Sequence, residues 1–174
     1  MSARRILQLG DPTLRAVSSP VSTFSESEPI FLDLRDTLHE FRRTHGFGRG
    51  ISAIQIGEPK RLIYIEFEGV AYKLHNPVFR FQSEGKFRLW DDCFSFPNLL
   101  VQLERSESVM LEFEAPEGIR TLVVEGALSE LLQHEMDHLD GILAVDRALD
   151  RNSLCTRDEW QRTAGQRIAP GFAG

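Results

Sequence analysis

Two imidazoles and a carboxylate fall within five residues of this chain, His134-Glu135-Met136-Asp137-His138. On a helix of 3.6 residues per turn, positions i and i+4 stand about one turn apart on the same face, so both rings can reach one metal ion. Glu135 would then sit close enough to hold a water there and take its proton. Leu128, Leu131, Leu132 and Leu139 supply an apolar stripe for such a helix, and Gly141 suits its C-terminal stop. A surface helix that merely carries two histidines would show the same letters, so the metal reading turns on a third ligand.

A catalytic site of this kind wants three protein ligands and one open position for water. The longer pattern His-Glu-x-x-His-x-x-Gly-x-x-His matches through Gly141 and then meets Ala144, so that reading fails. Glu159 lies at a tolerable separation for a ligand from a later helix, but Arg157-Asp158-Glu159-Trp160 reads equally well as a solvated face. Cys93 is the better candidate, in Trp90-Asp91-Asp92-Cys93-Phe94-Ser95-Phe96-Pro97 between two strand-like runs. A thiolate suits Fe(II), Zn(II) or Co(II), and the metal itself keeps the sulfur deprotonated. A buried structural cysteine fits the residue as well.

The elements that must position these groups can be read from pattern. Ile30, Leu34, Leu38 and Phe41 recur at helical spacing from Pro29 to about Arg43, which predicts an N-terminal amphipathic helix with Asp33, Arg35, Asp36 and Arg42 toward water. Residues 1–27 read as an extended arm, and Gly46 to Gly57 as a glycine-studded loop. Strands are expected at Arg61–Phe67, Val70–His75, Val78–Phe81, Leu99–Leu103, Ser108–Phe113 and Arg120–Val124, several of them alternating apolar and polar residues. The histidine helix should run from about Ala127 to Asp140. A polar tail follows Asp146, with a short helix near Asp158–Arg167. Consecutive strands with helices set before and after predict an α+β fold, with antiparallel or mixed sheets packed around the C-terminal His-Glu-x-x-His helix.

The 174 residues suffice for one domain, 1–174, with a substantial core, and no linker or repeat divides them. A net charge of −6 argues against direct nucleic-acid binding. No apolar run approaches the roughly 20 residues of a membrane span, and no signal peptide is legible. Two cysteines, Cys93 and Cys155, do not make a disulfide framework, so a reducing cytoplasm is the expected compartment.

Three segments in order resemble the peptide deformylase family: Gly48-Arg49-Gly50-Ile51-Ser52-Ala53-Ile54-Gln55, Asp91-Asp92-Cys93-Phe94-Ser95 and Gln133-His134-Glu135-Met136-Asp137-His138. The family patterns are Gly-x-Gly-Leu-Ala-Ala-x-Gln, Glu-Gly-Cys-Leu-Ser and Gln-His-Glu-x-Asp-His. The second match is degraded, and the likeness spans residues 5–147, leaving 148–174 as a tail. The resemblance implies removal of an N-formyl group from the start of new polypeptides, giving formate and a free amine. It makes Cys93, His134 and His138 ligands to one divalent metal, Fe(II) or Zn(II), with Ni(II) or Co(II) as substitutes. It makes Glu135 the general acid–base, and it gives the Gln55 side chain and the Phe94 backbone N–H an oxyanion to stabilise. Gly48 and Gly50 would let a substrate backbone pair alongside. Substrates would be N-formylated peptides, including nascent chains at the ribosome, or small N-formyl amines.

Three departures fall at positions facing the substrate. Asp92 replaces the family's usual glycine, which sets a carboxylate beside the thiolate and would slow attack at neutral pH. Arg49 and Glu130 replace apolar residues, while Ala127 and Leu131 keep the same face apolar. Arg49 and Glu130 either point to solvent, or pair with each other at the rim, or shape a pocket for something more polar than formyl-methionine. Two competing functions use the same residues: a zinc endopeptidase, and a non-catalytic deformylase relative that binds metal and a partner.

Overall fold

The computed structural model describes residues 3–163. Its first long helix, α1 (Phe24–His45), starts five residues before the sequence pattern indicated, because Thr23 Oγ1 caps it by accepting from the Glu26 N–H. Pro29 thus lies one turn inside the helix. Leu34, Leu38 and Phe41 are buried as expected. Arg42 is not on the water side: its guanidinium reaches Glu66 and donates from Nε to Gly48 O at 2.6 Å.

The glycine-rich segment is not simply a loop. It forms a three-residue strand, β1 (Gly50–Ser52), and a 3-10 turn at Ala53–Ile56. The chain then gives β2 (Leu62–Phe67), β3 (Val70–Gln82), β4 (Lys86–Asp92), β5 (Leu99–Ser106), β6 (Ser108–Ala115) and β7 (Gly118–Glu125). The two short runs expected at 70–75 and 78–81 are one strand, β3, whose pairing with β6 slips between His75 and Val78. Strand β4 escaped the sequence reading because charges fill its solvent side, although Phe87 and Leu89 do alternate with Lys86 and Arg88.

The strands form two antiparallel sheets, ordered β1-β2-β3-β6-β7 and β4-β5-β8, where β8 is Leu154–Thr156. Helix α2 (Gly126–Leu139) packs against both. Leu128, Leu131, Leu132, Met136 and Leu139 meet Ile63, Ile65, Leu74, Val109 and Leu111 of the larger sheet. All residues from Leu128 to Leu139 are buried, so α2 is enclosed rather than amphipathic. Some of its polar side chains find partners inside the fold: Gln133 accepts from Ser106 N at 2.9 Å and returns a bond to Ser106 O at 3.0 Å. Helix α3 (Arg157–Thr163) closes the described chain; the part of the expected helix beyond Thr163 lies outside the described residues. Among the described residues no helix is long and apolar enough to cross a membrane.

Candidate active site

Helix α2 aims its i and i+4 histidines at the turn that follows β4, where Cys93 sits. His138 Nε2 lies 3.2 Å from Cys93 Sγ and 3.2 Å from His134 Nε2, and the three atoms all fall within 4.8 Å of one another. A tetrahedral centre with bonds of about 2.0–2.3 Å separates its ligand atoms by roughly 3.3–3.8 Å, so the trio is already near the spacing such a cation needs. All three side chains are buried, and three lone-pair atoms turned on each other away from water need a shared cation or proton to be tolerable.

The second layer makes the same point. His134 Nδ1 donates to Asp91 Oδ2 at 2.9 Å, which orients the ring and turns its Nε2 toward His138. Burial would lower this ring, but the facing Asp91 carboxylate and Cys93 raise it well above the usual histidine value. Asp91 is in turn bonded by Arg105 Nη2 at 3.2 Å, and Arg105 Nη1 reaches Asp137 Oδ2 at 2.5 Å. Burial pulls Asp91 toward its neutral form, but the facing His134 ring and the Arg105 guanidinium outweigh it and hold the acid at about 2. Burial pushes His138 well below the usual histidine value, so its ring is neutral. Sequence reasoning missed Asp91 and Arg105 as supports; the signal was an acid two residues before the thiol.

Glu135 points to the other side, next to β1. Burial raises its carboxyl to about 7, against the opposing pull of the His134 ring and of Ser52. Ser52 Oγ donates to Glu135 Oε2 at 2.6 Å, a contact the sequence did not reveal. Gln55 is turned inward by its own carbonyl, which accepts from the Ser52 N–H at 2.9 Å. That leaves its NH2 group 3.6 Å from Cys93 Sγ and 3.3 Å from Ser95 Oγ.

The glycines have a packing reason. A Cβ on Gly48, whose φ is +127°, would stand 2.4 Å from Phe94 Cζ, and one on Gly50 would stand 2.8 Å from Glu135 Oε1. Each therefore makes room for a side chain of this protein. Phe94 itself stacks on Phe41 with centroids 3.8 Å apart.

These groups line one cleft of about 510 Å³. Leu131, Gly48, Gly50, Gln55, Phe94, His134 and Glu135 share it with Arg49, Asp92 and Glu130. Neither Arg49 nor Glu130 points to solvent: Arg49 Nη2 bonds Glu130 Oε1, and the Glu130 side chain is 4% exposed against 29% for Arg49. Burial raises the Glu130 carboxyl despite the nearby guanidinium. Asp92 is no loose charge beside the thiol, because Arg157 Nη2 holds its Oδ2 at 2.7 Å. Arg157 also lies over the Phe47 ring, 3.8 Å from its centroid, which brings α3 and Trp160 to the wall of the cleft. Glu159 is bonded to Arg162 on the exposed side of α3 and stands outside the cysteine–histidine cluster.

An α+β frame around a buried thiol, two facing imidazoles and a poised carboxylate defines the class of metal-dependent hydrolases. Residues 3–153 match the family model described as polypeptide deformylase. A peptide deformylase of Parafrankia sp. is 40% identical over 157 residues, covering 88% of this chain and 82% of that protein. One of Brucella suis is 31% identical over 97% of this chain and 98% of its own length. Among solved structures, the peptide deformylase of Thermotoga maritima superposes with a TM-score of 0.80 at 26% identity, covering 86% of this chain and all of that one. That of Synechococcus elongatus in complex with actinonin gives 0.79 at 29% identity, over 95% and 89%. The chain belongs to the polypeptide deformylase family, metal-dependent hydrolases that remove the N-formyl group from nascent peptides.

Proposed function

We propose that Cys93, His134 and His138 hold one divalent cation, Fe(II) or Zn(II), that α2 is the metal-binding helix, and that Glu135 is the general acid–base of a formyl-amide hydrolysis. The convergence of one sulfur and two imidazole nitrogens beside a buried carboxylate carries this reading. When bound, the cation supplies Lewis acidity, which makes water a competent nucleophile near neutral pH and draws charge from the formyl oxygen. Glu135 takes a proton from the attacking water as its oxygen bonds to the formyl carbon. It then delivers that proton to the nitrogen as the C–N bond breaks, leaving formate and a free amine. Oxyanion charge in between is met by the Gln55 amide and the Phe94 backbone N–H. Gln55 is held for this task by its bond from Ser52.

Strand β1 is the edge of its sheet, so an extended formyl peptide can add alongside it near Gly48 and Gly50. The substrates are N-formylated peptides or other N-formyl amines, with nascent chains at the ribosome as the source, in the cytoplasm where unpaired thiols persist. The whole of 1–174 is read as a single deformylase-like domain.

The test is formate release by anaerobically purified, metal-analysed protein. Turnover should be abolished in Glu135→Gln with metal retained, and metal should be lost in Cys93→Ala but kept in Glu159→Gln. Full formate release by Glu135→Gln would refute the assignment.

A further inference from the structure

An ion pair occupies part of the cleft that the hydrolysis does not use. Glu130 lies four residues before His134, one turn further along the same face of α2, and its carboxylate is almost wholly buried. Arg49 covers it from the edge-strand side, and of the two the guanidinium is the more exposed. Both line the cleft that holds Glu135 and Gln55, among Phe47, Leu89, Leu100 and Leu131. A guanidinium has five N–H donors, and Arg49 commits one to Glu130 Oε1. Its other donors make no further hydrogen bond among the described residues, and the cleft they border joins apolar side chains, Phe47, Leu89, Leu100 and Leu131, to polar ones, Gln55, Asp92 and Arg157.

We infer that the Arg49–Glu130 pair selects N-formyl peptides whose leading side chain ends in an oxygen acceptor, as in glutamine or glutamate, over apolar ones of the same length. The inference rests on the formyl-hydrolase reading. With the formyl carbon beside Glu135, the first side chain of the substrate extends along α2 toward Leu131 and Glu130, and meets the guanidinium. An acceptor there takes the uncommitted donors. An apolar chain strips water from the partly exposed guanidinium and offers nothing in return. Glu130 sets the direction: it neutralises Arg49 and holds its fork in place, so the acceptor need not be charged.

The experiment compares kcat/KM for formyl-Gln-Ala-Ser and formyl-Glu-Ala-Ser with that for formyl-norleucine-Ala-Ser. It uses the metal-loaded protein and a double variant, Arg49→Leu with Glu130→Leu, which leaves no unpaired buried charge. The acceptor-to-norleucine ratio should fall at least tenfold in the double variant, the scale of one hydrogen bond to a charged donor. Binding of the deformylated tripeptides, followed by the fluorescence of Trp90 and Trp160 in the cleft wall, should lose the same preference. A ratio within threefold of wild type in both measurements overturns the inference while leaving the hydrolase reading intact. Absence of formate from every peptide with both proteins overturns the hydrolase reading instead, and the fluorescence ratios alone then decide whether the pair recognises an acceptor.

Discussion

Asp91 Oδ2 accepts the Nδ1–H of His134 at 2.9 Å, and the same oxygen takes Arg105 Nη2 at 3.2 Å. One carboxylate oxygen therefore orients the ring of a candidate ligand and anchors the buried Arg105 guanidinium. Asp91→Asn keeps the shape and removes the charge. It should lower the affinity of the site for its metal by about 10- to 100-fold, the usual cost of losing such a support. A competition titration with a chelator measures it. Equal affinity in the two proteins would show that Asp91 serves only Arg105.

The tight approach of Gly50 to Glu135 gives a second prediction. A methyl group at position 50 would stand 2.8 Å from Oε1 and 3.1 Å from Cγ, so the carboxylate must yield. Gly50→Ala should displace Glu135 without touching the cysteine–histidine trio. Turnover should drop by about 10²-fold or more, the scale of a misplaced general base, while bound metal stays stoichiometric. Loss of the metal along with the activity would point to wider collapse of β1.

The histidine helix is legible because its two imidazoles lie on one element at i and i+4, where local spacing alone brings them together. Cys93 was different: the sequence left it open between a ligand and a structural thiol until the surrounding motif was weighed. What joins it to His138 is the packing of α2 against the β4–β5 hairpin, a long-range fact that no local pattern encodes. The partners of the polar side chains of α2 are illegible for the same reason, since they lie on a distant strand: Ser106 satisfies Gln133 and Ser129. Arg157 gave no signal at all. Its partners Asp92 and Phe47 are far away in sequence, and its neighbourhood reads as an ordinary charged tail.

Arg157 also makes a testable clasp. Its guanidinium bonds Asp92 Oδ2 at 2.7 Å and Pro97 O at 2.7 Å while stacking on Phe47. In a double-mutant cycle of Asp92→Ala and Arg157→Ala, the pair should show a coupling of about 0.5–1 kcal/mol, since solvent reaches both partners. KM for formyl peptides should rise in Arg157→Ala, because the clasp positions the Trp160 wall of the cleft, with kcat little changed. Urea midpoints and steady-state kinetics supply the two readings, and zero coupling would leave Arg157 a packing residue only.

The third charged cluster predicts how stability depends on acid. Burial alone would raise Glu66, but hydrogen bonds from Tyr64, His39 and Arg42 prevail and hold it at about 2, against 4.5 for the free side chain. A carboxyl depressed in the folded state contributes stability that is complete above about 4.5 and is lost as pH falls toward 2. With the side chain 23% exposed, that contribution is on the order of 2 kcal/mol. Glu66→Gln should therefore be less stable than wild type at pH 6, and the gap should close progressively between pH 4.5 and pH 2. Urea unfolding of both proteins across that range reads the gap directly. A gap that stays constant with pH would mean that the bonds to Glu66 do not distinguish its charged form, and that the acid sensitivity of the fold lies elsewhere, with Asp91 the next carboxyl to test.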